Sequence, residues 1–158
     1  MFLLRLSWLI SLGISLLGFL IIGNLFTIQP DGVSGNGNLG FVGITFVVPF
    51  LLLSIFTTFR YFLTISRKTQ DRLMKFLSLI GGLLLLAVLM YLSFNFKNDI
   101  LETLDKTSDN PSFPKLNSYT YSIYFNFYTF ALLHTIVGVI ALFVGLMNPK
   151  TKKEELSE

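Results

Sequence analysis

Residues 6–28 read LSWLISLGISLLGFLIIGNLFTI, a run without a single charged side chain. Ser, Gly, Asn24 and Thr27 are its only polar or small interruptions. At 1.5 Å per residue a helix of this length is about 35 Å long, enough to cross a hydrocarbon core of roughly 30 Å. Arg5 precedes the run, so a secretory signal peptide is the competing reading. The run is longer than an h-region, however, and no A-x-A-like cleavage site follows it. The expectation is an uncleaved span.

The same pattern recurs at 41–63, 76–96 and 122–146. The sequence therefore predicts an all-α integral membrane protein, a four-transmembrane-helix bundle forming one membrane domain over 1–158. Its outer loops are 29–40 and 97–121, its inner loop is 64–75 and its tail is 147–158. Composition agrees, because only 13% of residues are charged where soluble proteins carry roughly 25%. The absence of cysteine excludes disulfides, thiolate metal sites and Cys nucleophiles. Residues 29–40, QPDGVSGNGNLG, hold Pro30 and four glycines, which stop a helix. GNGN lacks the Lys and the strand-to-helix setting of a phosphate-binding loop, so this segment reads as a connector. Pro49 lies inside the second span and predicts a kink. In the polar segment 97–118, Ile100, Leu101 and Leu104 fall on one side of a possible short helix resting on the membrane surface.

Charge gives the orientation. Arg5, Arg60, Arg67, Lys68, Arg72, Lys75, Lys150, Lys152 and Lys153 lie on one side, and Lys97, Lys106 and Lys115 on the other. That is nine against three of the 12 basic residues. Cytoplasmic loops carry the excess of Lys and Arg, so both termini are expected in the cytoplasm. Tyr119, Tyr121, Tyr124 and Tyr128 gather at the start of the fourth span, as an outer headgroup interface favours. The net charge of +3 is split among short segments flanking spans. It reads as topology and attraction to anionic lipid, not as a nucleic-acid surface.

Chemistry-bearing residues are few. No span holds an Asp, Glu or Lys in its interior, and Arg60 can snorkel from the end of the second. Ion-coupled carriers usually place an ionisable group near mid-membrane. His134 is the one titratable residue deep in a span, and Gly138, Ala141 and Gly145 share its helix face at i+4, i+7 and i+11. Small faces let membrane helices approach closely, so His134 is expected to point inward and hydrogen-bond to a Ser or Thr of another helix. Ser7, Ser11, Ser15 and Gly18 form a second small-residue stripe, read as packing with hydroxyls bonded back to i−4 carbonyls. Asn95 and Asn126 near the outer boundary, and Thr57 and Thr58 near the inner end, are given no special role. The stretch FALLHTIVGVIALFVGL, residues 130–146, resembles the His-containing helices of the third subunit of haem-copper oxidases. The resemblance covers one helix, and the acidic residue such subunits bury has no counterpart, so no family is assigned.

Three function classes follow. The first is an accessory, assembly or regulatory subunit of a larger membrane complex, and small-residue helix faces offer contact either with a membrane-protein partner or, in a homo-oligomer, with further copies of the chain. The second is an oligomeric transporter or channel subunit, and the third a cofactor-binding membrane protein using His134. No catalytic, cofactor-binding or metal-ligating set is assigned, and the expected partners are the lipid bilayer and another membrane protein. Short loops and a Cys-free, Asn- and Lys-containing composition point to a bacterial plasma membrane.

Overall fold

A computed structural model describes residues 2–28, 39–107 and 119–147. Their helices are α1 (Phe2–Leu25), α2 (Leu39–Lys68), α3 (Arg72–Thr107), α4 (Tyr121–Tyr124) and α5 (Phe127–Met147). Four helical stretches, with α4 and α5 counted together, are long and apolar enough to cross a membrane. Most of the connector 29–40, Pro111, Pro114, Lys115 and the tail beyond Met147 lie outside the described residues.

α1 packs along α2, α2 along α5, and α5 along α3. The order across the molecule is thus α1, α2, α5, α3, with a cleft separating the two end helices. Large apolar side chains face outward on every long helix, for example Leu17, Leu52, Leu84 and Phe143. A helix that is hydrophobic all round has its solvent in lipid rather than water. The interior is built instead from small and hydroxyl residues. Ser11, Ser15, Ser54, Thr58 and Ser66 are almost completely buried, which lets α1, α2 and α5 approach one another closely.

Two boundaries differ from expectation. The inner connector shrinks from 64–75 to residues 69–71, because Asp71 Oδ1 accepts the Leu73 N–H at 2.9 Å and starts α3 at once. α3 also continues through 97–107 instead of giving way to a separate surface helix. That stretch contains no Gly or Pro, and the Lys106–Glu102 pair at 2.7 Å supports it at i, i+4 spacing. At 36 residues α3 is about 54 Å long.

The fourth span is broken once. α4 ends at Tyr124, and Asn126 starts α5 by accepting the Thr129 N–H on Oδ1 at 3.0 Å. The Asn126 N–H in turn reaches Thr129 Oγ1 at 3.3 Å, a capping box with Thr in the place of Glu. The Asn126 amide also donates to the Ser122 and Ile123 carbonyls that the break would strand. Asn126, to which the sequence assigned no special role, is buried and caps α5. Tyr121 departs from the interface reading too, since it is 1% exposed and its ring lies where a side chain at Gly40 would go. α2 stays one helix through Pro49, whose missing N–H leaves the Thr45 carbonyl without its intrahelical donor.

Candidate functional site

The most polar part of the interior is a seam along α2. Ser54, Thr57 and Thr58 recur at i, i+3 and i+4, so they share one face of an otherwise apolar helix. Ser54 meets α5, where its Oγ is 2.9 Å from His134 Nε2. Thr57 meets α1, with Oγ1 2.8 Å from Ser11 Oγ. Thr58 Oγ1 accepts the Trp8 indole N–H at 3.0 Å. Tyr61, one turn on, stacks on Trp8 with ring centroids 4.2 Å apart. The seam therefore ties α1 and α5 to α2 by side-chain hydrogen bonds, one for each polar position.

The proton inventory fixes how His134 is used. Its Nδ1 is 2.9 Å from the Phe130 carbonyl, which can only accept. Nδ1 therefore carries a hydrogen, and in the neutral ring Nε2 is a bare acceptor. Ser54 Oγ lies 2.9 Å from Nε2 and 2.8 Å from the Leu51 carbonyl, so its single hydroxyl hydrogen is shared between the two acceptors. Both ring nitrogens are thus occupied, and the Phe130 ring, 4.2 Å away between centroids, covers one side. Among the described residues no group of three His, Asp or Glu side chains could hold a metal.

The three pairs do not join into a relay. Thr57 Oγ1 approaches the Leu53 and Ser54 carbonyls, and Ser15 Oγ donates to the Ser11 carbonyl at 2.7 Å. A carbonyl has no proton to pass on, so the Ser54–His134 and Thr57–Ser11 pairs end on backbone.

The α5 face that carries His134, Gly138, Ala141 and Gly145 lies against α2. His134 lies at Ser54, Gly138 at the Phe62 ring, and Gly145 at the Ser66 side chain, while Ala141 is wholly buried. Ser66 Oγ donates to the Leu142 carbonyl at 3.0 Å, closing the same interface one turn further on. On α1, Ser11, Ser15 and Gly18 are buried, with Gly18 under Val47. Ser7, the first member of that stripe, is exposed and does not join them. Sequence reasoning passed over Ser54, Thr57, Thr58 and Trp8. The i, i+3, i+4 recurrence of hydroxyls in α2 was the available signal.

A double-mutant cycle measures what the His134–Ser54 contact contributes. Interhelical hydrogen bonds in membranes average about 0.6 kcal/mol, with a maximum near 1.7. His134→Leu frees the Ser54 hydroxyl to bond back to Leu51, so Ser54 is not stranded. The expected coupling between His134→Leu and Ser54→Ala, from thermal unfolding in detergent, is about 0.6 kcal/mol. His134→Gln should fall within error of the unaltered protein, because an amide can still accept from Ser54. A coupling well above the membrane maximum would show that His134 does more than pack.

No family model, curated protein or solved structure matches the chain.

Proposed function

We propose that this protein is an accessory, assembly or regulatory subunit of a larger membrane complex, held in a bacterial plasma membrane with both termini in the cytoplasm. The observation that supports this reading most is the contrast between the seam and α3. The seam's polar groups are engaged with one another or with backbone, which leaves His134 no free nitrogen for chemistry. α3 lies at the end of the row against α5, and Leu89 is its only buried residue among those described. A long helix with one close neighbour has most of its surface open to a partner. The transporter and His134-cofactor readings find less support, since the hydroxyl pairs form no continuous path and both imidazole nitrogens are engaged.

Purification from native membranes in mild detergent through an affinity tag tests the proposal. The expected result is a particle larger than the chain and its detergent belt, with an unlike membrane protein present in constant ratio. A particle containing only copies of this chain would support the transporter or channel alternative. Haem absorbance in the purified chain alone would move the assignment to His134.

A further inference from the structure

The cleft between α1 and α3 has a volume of about 450 Å³. One wall is Trp8 and Leu12 of α1 with Phe62 of α2, and the other is Gly81 and Leu85 of α3, with Val139 of α5 on its floor. These residues belong to spans, so the cleft opens sideways at the depth of hydrocarbon. Water does not fill an apolar groove there, and an empty one would forfeit the contacts of its lining. A transmembrane helix, roughly 10 Å wide and 30 Å long, occupies several times this volume. A single hydrocarbon chain is of the right order.

The charges at one end of the cleft name the class of lipid. Arg5 precedes Trp8 by three residues and Leu12 by seven, so it continues the α1 wall. Lys75 precedes Ser78 by three and Gly82 by seven, and both of those line the cleft, so it continues the α3 wall in the same register. The two cations therefore stand at the same mouth, one on each wall. Neither forms an ion pair among the described residues. Asp71, the acidic residue nearest Lys75 in the chain, is engaged by the Leu73 N–H. Arg67, Lys68 and Arg72 add to the positive charge of that end.

We propose that the cleft holds one acyl chain of an anionic glycerophospholipid, with the phosphate at the mouth bounded by Arg5 and Lys75. This is independent of whether the protein serves as an accessory subunit. The occupant is recognised by two features together, an apolar slot and a paired cationic rim.

Trp8 makes the proposal testable, because it is the only tryptophan in the chain and lines the cleft. The full chain is reconstituted in phosphatidylcholine vesicles. A minor fraction of the lipid is phosphatidylglycerol, or phosphatidylcholine, dibrominated high on the acyl chain, and bromine quenches indole fluorescence on contact. The expected result is an apparent association of brominated phosphatidylglycerol about fivefold stronger than that of brominated phosphatidylcholine, one basic residue's attraction at a membrane surface. In the Arg5→Gln, Lys75→Gln double variant the two lipids should quench alike. Gly81→Leu should reduce quenching by both lipids, because a side chain at Gly81 meets open space and fills the slot without moving backbone. Leu85→Phe fills the same slot one turn on and serves if the first variant fails to fold. Equal quenching by the two lipids in the unaltered protein would overturn the headgroup assignment. Quenching untouched by either slot-filling variant, or no quenching by either lipid, would overturn the proposal as a whole.

Discussion

Gly23→Ala is expected to destabilise the protein by about 1–3 kcal/mol, the range for overpacking a close-packed interior, and to reduce sharply the yield of monodisperse protein. Gly23 is buried on α1, and a Cβ built there falls on the carbonyl oxygen of Phe125. That oxygen belongs to the break between α4 and α5, whose geometry is fixed by the Asn126–Thr129 capping box. A flexible side chain could swing aside, but this backbone can move only by undoing the cap. The internal control is Gly13 on the same helix. It is exposed and its Cβ would meet nothing within 4 Å, so Gly13→Ala should be neutral or slightly stabilising through helix propensity. The measurement is the fraction of detergent-solubilised protein that stays monodisperse after graded heating. Equal curves for the two variants would mean that α1 does not pack against the 125–126 break.

The comparison of Gly23 with Gly13 also marks how far the sequence could be read. Both are glycines in one apolar helix ten residues apart, and nothing local distinguishes them. What separates them is a contact with a residue about a hundred positions away, which no periodicity encodes. The spans were legible because length and the absence of charge are local properties, and the medium, not a partner, sets them. The small face of α5 was legible for a related reason. His134, Gly138, Ala141 and Gly145 keep helical spacing, and close approach of backbones needs small residues whatever lies opposite. The partner of that face was not legible, since Ser54 looked like any hydroxyl in a membrane helix. The same holds for Asn126. Its role depends on a break in the fourth span that Asn126 and Thr129 cap reciprocally. The continuation of α3 past residue 96 was misread for a different reason. Polarity in a membrane protein signals exit from lipid, and a helix can leave the membrane without ending.

A reporter that is active only outside the cytoplasm, fused after Thr107 or in place of the tail beyond Lys153, is expected to give an all-or-none contrast. It should be active at the first position and silent at the second. The proposal of cytoplasmic termini rests on nine basic residues against three, with Arg67, Lys68, Arg72 and Lys75 gathered around one short turn. α3 carries the physical link between the two sides. Its first turn holds Arg72 and Lys75, and at about 54 Å it exceeds a hydrocarbon core of roughly 30 Å by some sixteen residues. Lys97, Asp99, Glu102, Asp105 and Lys106 fall in its final third, where the excess length must stand in water. A helix cannot place its basic first turn and this mixed-charge last third on the same side of one bilayer. With four spans, the chain beyond Met147 must return to the side of Arg5. Activity at both positions would require an odd number of crossings after Thr107 to fail, and would reduce the protein to three spans. Silence after Thr107 with activity after Lys153 would invert the protein in the membrane. The positive-inside excess would then be overridden by something outside this chain, such as a partner inserted first.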